Sequence, residues 1–95
     1  MFDWDLRKAQ SNSRKHGVSF EEAATAFLDP DGLDGEDLDH SYSESRRLRL
    51  AKSSLGTVLL IAYTIRSKND EETTRIISAR RASRKERKRY EVEED

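Results

Sequence analysis

TVLLIAYTIR, residues 57–66, decides how the rest of the chain is read. It is apolar at both parities and rich in β-branched and aromatic side chains, the pattern of a strand covered on both faces. Such a strand lies in the middle of a sheet, so its neighbours in the chain should flank it. Upstream, in RRLRLAK (46–52), Leu48 and Leu50 alternate with Arg47 and Arg49, the period-two pattern of a half-buried strand. Ser53-Ser54-Leu55-Gly56 makes the turn between them. Downstream, SKNDEE (67–72) reads as a hairpin loop and TTRIISAR (73–80) as the returning strand. Connections this short make the three strands an antiparallel meander.

The half before the sheet reads as helix. Asp3 or Asp5 caps a helix running to about His16, where Gly17 is the left-handed terminator. Ser19 with Glu22 three residues on is a capping box. Behind it Phe20, Ala23, Ala24, Phe27 and Leu28 follow i, i+3, i+4, i+7, i+8 and predict one buried stripe. Asp29-Pro30 ends that helix, because proline disfavours helix in the residue before it. The stretch that follows, with Gly32 and Gly35, is a loop or at most a short edge strand. The fold class is α+β: two N-terminal helices, an antiparallel sheet of three or four strands, and a helix at the C-terminal end.

A chain of 95 residues makes one domain, spanning 1–95, and is too short for two cores. Charged residues are 39% against 34% hydrophobic, so the core is small and the surface highly charged. Cysteine is absent, which removes disulfides and thiolate chemistry and fits a reducing cytoplasm. No apolar run approaches the 18 or more residues of a membrane span, and MFDWDLRK lacks the layout of a signal peptide. The expectation is a cytoplasmic protein with no membrane partner.

The net charge of −1 conceals a segregation. Residues 29–45 contain seven acids and no Lys or Arg, whereas RIISARRASRKERKRY (75–90) holds eight basic side chains and one acid. A solvated basic tail is the plain reading of the second block. Ser83 with Glu86 is another capping box, however, so a helix starts near Arg84 and runs to about Val92. On it Arg84, Arg87 and Lys88 share one face, with Ala82 and Tyr90 on the other. A capped helix beside strand ends makes a structured cationic surface, with Arg46 and Arg66 expected to emerge on the same edge. Nucleic acid is the polyanion that such an edge suits.

Two stretches also carry a resemblance. FDWDLRKAQSNSRKHGVSFEEAATAFLDP resembles the opening signature of the BrnT toxins, with its Trp-Asp pair, an Asn ahead of Lys-His-Gly, and Val-x-Phe leading the second helix. RIISARRASRKERKRYE is similar to that family's closing signature, Ile-Ser-Ala-Arg followed by Ala-Ser-Arg and Glu-Arg. The likeness spans about residues 2–91, with Ser45 and Ala51 departing from the usual pattern. The resemblance implies a RelE-like fold, ribonuclease activity on RNA, and neutralisation by a BrnA-type antitoxin in a toxin–antitoxin hetero-oligomer.

For such chemistry RNA cleavage needs a base for the 2′-hydroxyl, cations for the phosphorane and an acid for the leaving 5′-oxygen. His16 and His40 are isolated and no ligand spacing surrounds them, so no metal and no cofactor is expected. Arg80, at the exit of the last strand, is the first candidate for the transition-state phosphate contact; a surface salt bridge to the acidic loop is its plain alternative. Arg46 and Arg66 come second. His40 is the proton-transfer candidate, and His16, at a helix C-terminus, is read as structural. Lys52, Arg84, Arg87 and Lys88 are candidates for RNA binding. Trp4 reads as core rather than as a base-stacking platform, and Tyr90 as the anchor of the last helix. A non-catalytic nucleic-acid or partner-binding module using the same basic edge is the other functional class.

Overall fold

The computed structural model describes residues 1–39 and 45–94, so His40 lies outside the described residues. Asp5 caps α1 (Leu6–His16), its carboxylate accepting from the Arg7 and Lys8 amides at 2.8 and 3.1 Å. Gly17 closes the helix at φ 67°, a backbone that a Cβ would disfavour, and its N–H returns to the Ser13 carbonyl. Ser19 caps α2 (Phe20–Thr25) by accepting from the Glu22 amide at 3.0 Å. That capping box is only half closed. The Glu22 carboxylate accepts from Ser53 Oγ at 2.7 Å and so ties the helix to a distant turn. After Thr25 the chain tightens into one 3-10 turn, Ala26–Leu28. The shorter period rotates Ala26 into the core and leaves Leu28, expected in the buried stripe, 84% exposed.

Among the described residues the sheet has five strands: β1 (Phe2–Asp3), β2 (Leu33–Glu36), β3 (Arg47–Lys52), β4 (Val58–Lys68) and β5 (Glu71–Arg81). Their order is β1-β5-β4-β3-β2, with β4 central as its two-sided hydrophobicity requires. The sheet is mixed rather than purely antiparallel, because the two-residue β1 pairs parallel to β5 through Phe2–Thr74 and Asp3–Arg75. The six-residue hairpin loop is replaced by a two-residue turn. Lys68 pairs with Glu71, and Asn69 and Asp70 take φ of 53° and 66°, both left-handed as in a type I′ turn. In β5, Tyr63 faces Ile76 and Ala62 faces Ser78, so Ile77 is the extra residue of a bulge. The last helix, α3 (Arg84–Glu94), follows β5 closely.

Alternation along β4 divides the core in two. Leu59 and Ile61 face α1 and α2 and join Val18, Phe20, Ala23, Ala26, Ile76 and Ala79 in the main core. Trp4 packs edge-on against Phe20 at 5.9 Å, which places it with the core. Val58 and Leu60 face the other way. There Tyr90 of α3 caps a small second cluster with Leu50, Leu33 and Ala82. The Tyr90 hydroxyl donates to Asp29 at 2.6 Å, and Lys52 lies 5.8 Å over its ring, so Tyr90 does anchor α3 to the sheet.

The half-buried reading of β3 needs correction at Arg49. It is buried on the helix side, donating Nε to the Ala26 carbonyl at 3.1 Å and Nη2 to the Asp29 carbonyl at 2.8 Å. Its Nη1 pairs with Asp34, and the guanidinium stacks 5.3 Å from the Phe27 ring. Asp34 also accepts from the Tyr63 hydroxyl at 2.6 Å, and burial followed by that hydrogen bond raises the phenol pKa. The network locks β2 and the 3-10 turn onto β3. An added Cβ at Gly32 would collide with the Arg49 guanidinium, so the chain must have glycine there for this approach.

Candidate nucleic-acid interface

The face of the sheet turned away from α1 and α2 carries α3 at one end; at the other, Thr64 is buried and donates Oγ1 to the Ser45 carbonyl at 2.8 Å. The strand register sets out its rows. Arg80, Leu60, Leu50 and Leu33 form the first; Ser78, Ala62, Leu48 and Gly35 the second. Arg75, Thr64, Arg46 and Asp37 lie level in the third, since the Asp37 amide bonds the Arg46 carbonyl at 2.8 Å. Arg66, opposite Thr73, is in the fourth. Two cavities open along these rows. One, of about 280 Å3, runs from Leu33 and Glu36 across Leu48 and Leu60 to Glu86 and Arg89. The other, of about 250 Å3, continues from Leu48 and Leu60 to Ala62, Ser78, Arg80 and His16. Sharing Leu48 and Leu60, they form one groove across the sheet.

This register separates cations that were expected to converge. Arg46 stands two rows and two strands from Arg80, roughly 16 Å between Cα atoms, and Arg66 lies three rows from Arg80, roughly 20 Å along the strands. Arg46 lies 3.7 Å from Asp37, and Arg75 pairs with Asp3 at 3.2 Å. Around Arg80 the picture differs. Lys52 pairs with Val58 at the same end of the sheet, and α3 begins three residues beyond β5 with Arg84, Arg87 and Lys88 exposed. One cationic end therefore gathers Arg80, Lys52 and the α3 side chains, while Arg46 and Arg66 belong to the opposite end.

Arg80 is held by a two-pronged clasp. Its Nη1 and Nη2 donate to Glu86 Oε1 and Oε2 at 2.8 and 2.9 Å. Glu86 also accepts the Ser83 amide at 2.8 Å, while Ser83 Oγ accepts the Glu86 amide at 3.1 Å, so this capping box is closed at both ends. The salt bridge anticipated for Arg80 exists, but its partner is the helix-capping acid rather than the acidic segment. Glu86 fixes the guanidinium at the groove wall, and Nη1 also donates to the Arg81 carbonyl at 3.2 Å, so Nε and the second Nη2 N–H are the groups that Arg80 can offer a phosphate. Arg80 donates the hydrogen bonds that chiefly lower the Glu86 carboxyl to about 2, burial opposing and the Ser83 amide assisting.

That depression makes a pH prediction. A carboxyl lowered in the folded state contributes stability above its unfolded value of 4.5, and loses it as the pH falls toward 2. Glu86→Gln should destabilise by about 1–2 kcal/mol at neutral pH, a figure reduced for solvent screening at this half-open pair. Unfolding titrations of both proteins from pH 7 to 2 should show the difference shrinking through that window. A difference that stays constant with pH would contradict the clasp.

Sequence reasoning missed Asp29. It was read as the terminator of α2, yet its carboxylate accepts from Tyr90 Oη, the Lys52 amide and the Asp31 amide, joining α3 to β3. Burial would raise its pKa, and the bond from Tyr90 with the two amides outweighs that, so it lies below the usual value. Only tertiary structure reveals such a role. Among the described residues no group of three or more His, Cys, Asp or Glu gathers that could hold a metal, and no helix is long and apolar enough to cross a membrane.

Comparison with known proteins agrees with this architecture. No protein of curated function matches the sequence. In fold the chain is similar to the crystal structure of the Brucella abortus ribonuclease toxin BrnT, with a TM-score of 0.63 at 20% identity over 88% of this chain and 99% of that one. The family model described as "Ribonuclease toxin, BrnT, of type II toxin-antitoxin system" matches residues 4–86, taking in α1 and α2, all of β2 to β5 and the Arg80–Glu86 clasp at the start of α3. The chain therefore belongs to the BrnT family of ribonuclease toxins of type II toxin–antitoxin systems.

Proposed function

We propose that this chain is an endoribonuclease that cleaves RNA without a metal ion, with the substrate laid across the groove on the open sheet face. The observation that carries the reading is Arg80, oriented by Glu86 at the wall of that groove and flanked by the exposed cations of α3. A guanidinium stays protonated, so Arg80 serves no base function; it neutralises charge as the phosphorane forms. Lys52, Arg84, Arg87 and Lys88 bind the flanking phosphates, which makes affinity fall with salt. Arg46 and Arg66, beyond the groove at the opposite end of the sheet, contact the RNA strand away from the scissile bond. The protein acts in the cytoplasm, where its RNA is, and a BrnA-type antitoxin neutralises it by occupying the groove in a hetero-oligomer.

Purified chain incubated with labelled RNA tests the reading. Cleavage should persist in excess EDTA and weaken as salt rises. Loss of cleavage on chelation, restored by one divalent ion, would contradict the metal-free mechanism; an intact RNA under all conditions would contradict the enzyme itself.

A further inference from the structure

The geometry points to His16 as the proton donor to the leaving 5′-oxygen. This rests on the ribonuclease reading above and adds a residue that the sequence pattern left as structural. His16 ends α1, but the groove reaches it: the same 250 Å3 cavity is lined by Arg80, Ser78, Ala62 and His16. A second cavity of about 190 Å3, lined by Lys8, Lys15, Ser78 and again His16, continues over the strand at the bulged Ile77. Among the described residues His16 is thus the titratable side chain common to both, and no described carboxylate lines either cavity. The charged groups that share them are Lys8 and Lys15 of α1 and Arg80 of β5.

Its placement is built. Asn12, one helical turn before His16, is buried and accepts the Ala79 amide at 3.0 Å while donating to the Ala79 carbonyl at 2.7 Å. The same amide group donates to the Val18 carbonyl at 3.0 Å, fixing the chain just past Gly17. A side chain bonded both ways to one strand residue locks α1 to β5 between Ser78 and Arg80. Residues four apart share a helix face, so the lock brings His16 to the same strand positions. Gly17 then turns the backbone away at once, and the imidazole stays exposed.

Imidazole is the side chain suited to giving and regaining a proton near neutral pH. In the step assigned, the 2′-oxygen bonds to phosphorus and loses its proton to solvent. The P–O5′ bond breaks, and the imidazolium proton passes to the departing 5′-oxygen. The products are a 2′,3′-cyclic phosphate and a 5′-hydroxyl, and the imidazole recovers its proton from solvent.

The test uses an oligoribonucleotide spanning a site that the wild type cleaves, made with an ordinary linkage and with sulfur in place of the 5′-oxygen. A thiolate leaves without needing a proton. His16→Gln should lose about 10²-fold or more on the ordinary linkage, yet approach the wild-type rate on the sulfur-substituted one, with an unchanged melting temperature. One limb of the pH–rate profile should vanish with it. Equal losses on both linkages, or no loss on either, would overturn the assignment while leaving the ribonuclease reading in place. A wild type that cleaves no RNA, so that no such site exists, would overturn both.

Discussion

Arg80→Ala is expected to lower the rate of RNA cleavage by roughly 10²–10³, the usual cost of removing one charge-stabilising donor from a transition state. The structure also says what the substitution leaves behind. Glu86 keeps the Ser83 amide and its place in the cap, so α3 should still start where it does. Because the Arg80 side chain is 41% exposed, the lost ion pair should cost only about 1 kcal/mol. Arg80→Lys should recover little, since an ammonium cannot satisfy the two Glu86 oxygens and a phosphate with one fixed fork. Cleavage rate and melting temperature on one preparation decide it. A fully active Arg80→Ala would move the phosphate contact to Arg46 or Arg84, and an unfolded one would make Arg80 structural.

The largest stability effect should come from Arg49→Ala. That change removes the guanidinium donor from the Ala26 and Asp29 carbonyls, which keep the Asp29 and Gly32 amides, and leaves the Asp34 carboxylate without its ion pair. Breaking a buried pair by removing one partner costs about 3–5 kcal/mol, and Asp34 is part exposed, so about 3 kcal/mol is expected here. For a domain of this size that lowers the melting temperature by roughly 12–24 °C. Arg49→Lys should recover little, because one ammonium cannot reach two carbonyls and a carboxylate at once. A melting temperature within a few degrees of wild type would contradict the network as drawn. The same network holds Asp34 of the acidic segment in the fold. Neutralising Asp34 together with Glu36 and Asp37 would damage the fold, so any effect of that segment on cleavage has to be read from Glu36 alone.

How much of this was legible in the sequence follows from the range of each interaction. Local chemistry was readable: Asp5, Ser19 and Ser83 bond amides two or three residues away, and Gly17 needs only its own backbone angle. The central strand was readable because covering on both faces writes an unbroken apolar run. Strand β1 left no pattern, being two residues long, and β2 has one apolar side chain, Leu33, inside an acidic stretch. The tight turn was hidden because Asn69-Asp70 achieves with two ordinary residues what a glycine would have advertised. Arg49 misled for a physical reason. Alternation assigns an arginine outward, whereas here helix carbonyls and an edge-strand aspartate solvate it inside. The site was legible in kind but not in layout. Arg80 and the α3 cations are local to one another, but the distance from Arg80 to Arg46 and Arg66 depends on register across three strands, which residue spacing does not encode. His16 was passed over for the same reason, since its neighbours Ser78 and Arg80 are more than sixty residues away in the chain.

The proposed RNA path crosses the sheet face away from α1 and α2. An oligoribonucleotide blocked by 2′-O-methylation binds without being cleaved, so its titration can be followed by backbone amide shifts. These should concentrate at Leu48, at Leu60 to Ala62, at Ser78 to Arg80 and along the first turns of α3, weakening as salt is added. Shifts centred instead on α2 and the 3-10 turn, with the groove residues unmoved, would contradict it.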